Sequence, residues 1–250
     1  MDLCGLKGKI KVLTGADGSF EEIKESVAEN SFDGSEAVDF IIQQARLKSS
    51  SKLVLLPVGK LTNIALALKK APYIAKKIRI VWLGSNYPLK GEYNQVNDEP
   101  SLNYILEQDV PFEIVTVRYG KPSGTDAVRA TLDEVREIMP GLGPQVATPV
   151  VGRHVKSFNN FGDYSLNLFE NIKLHGNPPS RALFDMAAIA IVKDPKWATA
   201  TTIPAPILKA GQWQDRPNND RKIVLWENFK SKVIMKDFYQ SMKKPVLAGE

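Results

Sequence analysis

The strongest constraint on the fold is a pattern of strand, helix and strand between residues 52 and 83. An apolar run at Leu53–Leu56 ends at a proline and a glycine, which is typical of a buried strand. Apolar side chains then recur at helical spacing over Leu61–Leu68, and a second apolar run follows at Ile78–Leu83. Such a βαβ unit predicts two parallel strands in a sheet that helices cover.

The flanking segments continue this alternation and predict the α/β class. Further strands are predicted at 10–13, 111–117 and 223–226, and further helices at 37–45, 104–107, 125–139, 146–174 and 230–242. No internal repeat, low-complexity segment or long linker divides the chain. We therefore predict a single domain over residues 1–250.

Composition and charge exclude several classes of protein. With 43% hydrophobic and 24% charged residues, the 250-residue chain is neither disordered, collagen-like nor a coiled coil as a whole. A single cysteine and two histidines argue against a disulfide framework and a Cys- or His-based zinc site. The net charge is +5, but the lysines are scattered and not interleaved with aromatic residues, so we predict no nucleic-acid partner. The apolar runs are too short to cross a bilayer, which predicts no membrane partner.

Polar residues that follow the predicted strands are the candidates for chemistry, because ligands of α/β sheets collect at the carboxyl ends of strands. Asn86, Glu92 and Asn94 follow the second strand of the βαβ unit. Residues of this loop are also ordinary turn formers, so a turn and a functional loop both stay open. Asp185 lies near the start of the apolar segment 182–192. It is either a helix cap or first-turn acid, the commoner role, or a ligand.

Several spaced segments resemble the nucleoside hydrolase family of the inosine/uridine-preferring type. Residues 55–68 resemble its segment G-x-L-T-N-(I/L)-A, residues 92–100 resemble E-F-N-x-x-x-D-P-E, and residues 184–190 resemble H-D-P-x-A-x-A. The resemblance implies an open, mostly parallel sheet with helices on both faces. It also implies that a metal-activated water hydrolyses the N-glycosidic bond of ribonucleosides to ribose and free base. Calcium is the implied cofactor, and a nucleoside or ribose is the implied partner.

The resemblance also implies roles for individual residues. Asp185 matches a metal-binding Asp and is the implied catalytic residue, while Val58 matches a position whose backbone carbonyl binds the metal. Glu92 and Asn94 match ribose-binding residues, and Asn86 matches a further ribose-binding Asn. Carboxylates and carbonyls suit calcium, which prefers hard oxygen ligands.

Two departures from the family pattern modify these expectations. The family's Asp-rich strand end, D-x-D-x-x-x-D-D, has no counterpart here, which predicts that the first βα units are missing. If this is the whole polypeptide, we expect weak or no hydrolysis, and a non-catalytic ribose- or nucleoside-binding homologue is the alternative. Phe184 stands where the family has a His that assists the leaving base, with His175 nearby in sequence. Base stacking and core packing both stay open for Phe184.

The missing first units carry two further expectations. They would leave an unpaired sheet edge or apolar face, which predicts a homo-oligomer. Because residues 1–5 lack the basic start and apolar core of a cleavable signal, we predict a cytoplasmic location. A secreted or periplasmic location stays open, because the missing units would include any targeting signal.

Overall fold

The computed structural model describes residues 1–245, and residues 246–250 lie outside the described part. The α-helices of the described part are α1 (Phe20–Ile23), α2 (Ser35–Arg46), α3 (Thr62–Lys70), α4 (Tyr93–Asn97), α5 (Glu99–Glu107), α6 (Leu132–Ile138), α7 (Phe161–Asn171), α8 (Phe184–Lys193) and α9 (Ser231–Lys243). Its strands are β1 (Leu53–Leu55), β2 (Ile78–Ser85), β3 (Phe112–Thr116), β4 (Arg129–Thr131), β5 (Gln145–Val151), β6 (Ser157–Asn160), β7 (Ser180–Ala182), β8 (Thr199–Pro204), β9 (Ile207–Lys209), β10 (Gln212–Gln214) and β11 (Lys222–Glu227).

The chain divides into two compact units, and all five predicted site residues belong to the larger one. The larger unit contains residues 13–127 and 184–229. The smaller one contains residues 1–12, 128–183 and the described residues from Lys230 onward. The single domain predicted over 1–250 stays a prediction, and its last five residues, 246–250, lie outside the described part.

A five-stranded sheet in the order β1-β2-β3-β11-β8 forms the centre of the larger unit. The strands β1, β2, β3 and β11 pair in parallel, and β8 pairs with β11 in the antiparallel sense. The βαβ unit predicted from the sequence is β1-α3-β2. The α/β class with a mostly parallel sheet is therefore confirmed.

Alternation along the strands separates the two faces of this sheet. On one face, Ile80 and Trp82 of β2 join Phe112 of β3 in an apolar core that also contains the buried sides of α2, α3 and α5. On the opposite face, Val81 and Val115 are buried as well. The helix α8 contacts β2, and its buried residues lie outside that core cluster. Helices therefore cover both faces, as predicted.

Three predicted elements are wrong in whole or in part. Residues 10–13 form no strand, because no neighbouring strand pairs with them in the described part. Ile10 and Val12 are exposed. Residues 125–139 contain a 3₁₀ turn and the short strand β4 before α6 begins at Leu132. Residues 146–174 contain β5 and β6, which form an antiparallel pair, before the helix α7. A short run of apolar residues does not distinguish a helix from a strand.

None of the described helices combines the length and the apolar character that crossing a membrane requires.

Candidate active site

Four of the five predicted site residues follow the strands β1 and β2 of the central sheet. Val58 follows β1, and Asn86 follows β2 directly. Glu92 caps the short helix α4, which carries Asn94 in its first turn. Asp185 lies in the first turn of α8, which contacts β2 on the face of the sheet opposite the main core. The strand-end rule thus explains the positions of the first four residues, whereas Asp185 is brought to this sheet by the packing of a helix.

Glu92 is a buried carboxylate with only 4% of its surface exposed. Its Oε2 accepts a hydrogen bond from the Gln95 backbone N–H at 2.8 Å, which caps α4. Burial raises the pKa of Glu92, backbone N–H groups of α4 oppose the rise, and the negative charge of Asp185 adds to it. The charge of Asp185 is therefore felt at Glu92, as the smallest of these influences on its pKa.

Asn94 ties the ends of the first two strands together. Its Nδ2 donates to the Val58 carbonyl at 3.2 Å and to the Leu83 carbonyl at 3.0 Å. The residue is buried, so these bonds are shielded from water. The amide orientation of Asn94 is consequently set by the backbone of both strands.

Asn86 is also buried, and both ends of its amide have a protein partner. Its Nδ2 donates to the Lys90 carbonyl at 2.9 Å, and its Oδ1 accepts from the Tyr119 backbone N–H at 3.2 Å. These bonds close the loop after β2 and join it to the segment after β3. They hold the side chain of Asn86 in a single orientation and leave one Nδ2 N–H and one lone pair of Oδ1 for a ligand.

Asp185 is a first-turn acid, which is one of the two roles that the sequence left open. The residue is exposed as a whole, yet partial desolvation raises the pKa of its carboxyl group. Its neighbour Phe184 is half-buried and meets the ring of Tyr119 edge-on, with ring centroids 5.9 Å apart. The Phe184 ring thus borders the carboxylate region without entering the main core. His175, by contrast, is exposed in the smaller unit.

Sequence reasoning missed two residues that organise this region. Gln95, a residue of α4, is fully buried against the end of β2, although its type gave no reason to expect burial. Tyr119 holds the side chain of Asn86 through its backbone N–H. The strand-end rule could have drawn attention to Tyr119, because it closely follows β3. Nothing in the local sequence singles out Gln95, since the polar segment around it reads as a turn.

Comparison with known protein families identifies the family of this chain. A family model described as inosine-uridine preferring nucleoside hydrolase matches residues 3–236. The chain belongs to the inosine-uridine preferring nucleoside hydrolase family. This match confirms the resemblance that the spaced segments of the sequence indicated.

Individual relatives of this nucleoside hydrolase chain are distant and longer. The pyrimidine-specific ribonucleoside hydrolase RihB of Escherichia coli O1:K1 is 28% identical over 172 residues, covering 66% of this chain and 49% of RihB. A protein of the same description from Escherichia fergusonii has the same identity and coverage. The chain therefore spans about half the length of the curated relatives that it matches.

Solved nucleoside hydrolase structures share the fold. The inosine-uridine preferring nucleoside hydrolase from Bacillus anthracis has a TM-score of 0.60 and 19% identity, over 84% of this chain and 66% of that one. The plant nucleoside hydrolase PpNRh1 has a TM-score of 0.63 and 16% identity, over 87% of this chain and 68% of that one. At such low identities these likenesses show the common α/β fold.

Nucleoside hydrolases are metal-dependent hydrolases, so the donor atoms at the site decide whether the described residues suit a metal ion. Among residues 1–245, no group of three or more His, Cys, Asp or Glu side chains is placed to hold one. Asp185 offers one carboxylate, and the Val58 carbonyl already accepts an N–H from Asn94. Calcium takes about six to eight oxygen ligands. The described residues by themselves therefore do not fit a calcium site.

Proposed function

We propose that this protein is a ribonucleoside hydrolase, which cleaves the N-glycosidic bond of a ribonucleoside to give ribose and free base. The observation that supports this proposal is the buried cluster of Asn86, Glu92 and Asn94 beside Asp185. Each ribose hydroxyl both donates and accepts hydrogen bonds, and amide and carboxylate groups match both roles. Because backbone atoms orient all three buried side chains, the cluster is preorganised for one sugar pose.

In the proposed reaction, the C1′–N bond breaks, a water oxygen bonds to C1′, and the departing base takes a proton from solvent. Asp185 takes the proton of the attacking water and then returns it to solvent. Positive charge grows on the ribose ring while the bond breaks, as in other glycoside hydrolyses. The carboxylates of Glu92 and Asp185 would stabilise that charge. We assign the proton of the attacking water to Asp185, because a carboxylate whose pKa is raised is a stronger base near neutral pH.

Calcium and a metal-activated water stay predictions from the family resemblance, and none of the steps above passes through a metal. The cytoplasmic location, the homo-oligomer and the lack of a nucleic-acid partner are also part of the proposal. For the homo-oligomer, the supporting observation is that β1 lies at the edge of the central sheet within the described residues. An edge strand with unpaired backbone groups favours association with a further strand.

The test is release of free base from inosine and from uridine, measured by chromatography in calcium chloride and in EDTA. We expect calcium-dependent base release if the natural polypeptide also supplies the family's Asp-rich strand end, and weak or no release by residues 1–250 alone. Where base is released, Asp185→Asn should lower the rate by about a hundredfold or more. The matched control is Asp39→Asn, since Asp39 is an exposed carboxylate that pairs with Lys70 on the surface. A full rate in Asp185→Asn would remove Asp185 from the catalytic role.

The same experiment separates the alternative function. Inosine binding without base release would favour a non-catalytic ribose- or nucleoside-binding homologue. If the wild-type protein neither binds nor cleaves inosine or uridine, both functions are refuted.

A further inference from the structure

Gln95 is a buried amide whose side chain contacts two separate segments of the larger unit. Its Oε1 accepts hydrogen bonds from Ser85 Oγ at 3.2 Å, from the Asn86 backbone N–H at 3.3 Å and from Trp213 Nε1 at 3.1 Å. The residue has no exposed surface. Because three donors surround Oε1, turning the amide over would direct its NH₂ group at other donors. The oxygen is therefore held in one place.

The backbone of Gln95 orders a second member of the proposed ribose site. Its N–H donates to Glu92 Oε2 at 2.8 Å. A single residue thus fixes the backbone of Asn86 and the carboxylate of Glu92 relative to each other.

Trp213 reaches Gln95 from a rigid support. It lies on β10, which pairs with β9 in a hairpin. Asn103 of α5 exchanges two hydrogen bonds with the backbone of Leu208 in this hairpin, at 2.7 and 2.9 Å. The Glu99 carboxylate accepts from both N–H groups of the hairpin turn, at 3.1 and 2.9 Å. The hairpin is consequently anchored to α5 without the help of Gln95.

The Gln95 side chain combines three accepted hydrogen bonds with one destabilising feature. Gln95 Nε2 has no hydrogen-bond partner within the described residues, and an unmet buried donor destabilises a fold. The bonds that the side chain does make lead to Asn86, to the end of β2 and to the hairpin. The amide provides an acceptor oxygen that joins the end of β2, Asn86 and the hairpin.

We infer that Gln95 is a positioning residue, which couples the hairpin β9–β10, through Trp213, to the loop that carries Asn86 and to the carboxylate of Glu92. The inference rests on the proposed function, because Asn86 and Glu92 are the proposed ribose ligands. Its physical basis is that a displacement of about 1 Å in a positioning group is enough to weaken binding and turnover. The geometry of the ribose site therefore depends on a hairpin that does not touch the sugar.

Trp213→Phe tests the coupling with the smallest change. It removes the indole N–H that Gln95 accepts, and it keeps an aromatic ring against Tyr87, whose ring centroid is 5.4 Å away. We expect the Kd for inosine and the KM to rise about twofold to tenfold, as for the loss of one hydrogen bond, with kcat less affected. The matched control is Trp197→Phe, at a half-buried tryptophan beside Lys193, and it should bind inosine as the wild type does.

Two variants of Gln95 itself provide a second measurement. Gln95→Met removes Oε1, and we expect a larger rise in the Kd for inosine than in Trp213→Phe. Gln95→Glu keeps an acceptor oxygen, and we expect it to restore part of the lost affinity. If Gln95→Met fails to fold, the comparison of Trp213→Phe with Trp197→Phe still decides the question.

The outcomes separate the inference from the proposed function. Equal inosine affinity in Trp213→Phe and Trp197→Phe would overturn the inference, and so would a loss of stability without a loss of affinity. If the wild-type protein binds inosine but releases no base, hydrolysis is refuted, and the affinities still test the role of Gln95. If the wild type does not bind inosine at all, the proposed ribose site and this inference are both refuted.

Discussion

Replacing Asp98 with alanine should destabilise the larger unit more than the loss of any exposed carboxylate. Asp98 is 4% exposed and joins three elements. Its Oδ2 accepts from the Phe20 backbone N–H at 3.0 Å and from the Thr62 hydroxyl, and its Oδ1 accepts from the Ser101 backbone N–H at 3.2 Å. One side chain thus caps α5 and fastens the starts of α1 and α3 to it.

The magnitude follows from these three donors. Thr62 and Ser101 are fully buried and Phe20 is 3% exposed, so water does not readily replace the carboxylate. Each buried donor without a partner costs about 1–3 kcal/mol. We therefore expect Asp98→Ala to lower the free energy of unfolding by at least about 3 kcal/mol, the sum of the three lower values. That is a large share of the roughly 5–15 kcal/mol typical of folded proteins.

Urea unfolding, followed by far-ultraviolet circular dichroism and by tryptophan fluorescence, measures this loss. The matched control is Asp39→Ala, because the Asp39 side chain is 52% exposed and its ion pair with Lys70 should contribute less than about 1 kcal/mol. If Asp98→Ala does not fold, Asp98→Asn keeps one acceptor oxygen and should lose part of the same energy. A loss below about 1 kcal/mol in Asp98→Ala, or one equal to the control, would refute the reasoning.

Two further predictions concern buried carboxylates. Because burial raises the pKa of Glu92 above 4.5, its ionisation destabilises the fold as the pH rises through that raised pKa. In urea unfolding at about pH 7, Glu92→Gln should therefore have a larger free energy of unfolding than the wild type, by about 1.4 kcal/mol for each unit by which the pKa of Glu92 is raised. This difference should disappear below about pH 4. An equal difference at the two pH values would contradict the reasoning. Glu113 accepts from Arg79 at 2.5 and 2.9 Å and from the indole N–H of Trp226 at 2.7 Å. Since the Arg79 side chain is 31% exposed, Glu113→Ala should lower the free energy of unfolding in urea by only about 2 kcal/mol. Glu113→Gln keeps an acceptor for the indole N–H and should lower it clearly less. Equal losses in the two variants would argue against the role of the indole bond.

Local sequence patterns were sufficient to predict the βαβ unit. The runs that became β1 and β2 are continuous and apolar, α3 has helical spacing, and turn residues separate them. Segments without such clear patterns were misread. Residues 10–13 look like a strand, but a strand exists only where a partner strand accepts its hydrogen bonds.

The sequence by itself determined the α/β class, because that follows from spacing along the chain, and its motifs carried the resemblance that indicated the family and the candidate polar residues. Only the tertiary structure decided how those residues are held. Gln95 and Trp213 are 118 positions apart in the sequence, yet one hydrogen bond joins them. The partner of a buried polar atom depends on which distant segments pack around it, and no local pattern encodes that choice. For the same reason, the sequence named Asn86 and Glu92 as candidates but not the residue that positions both.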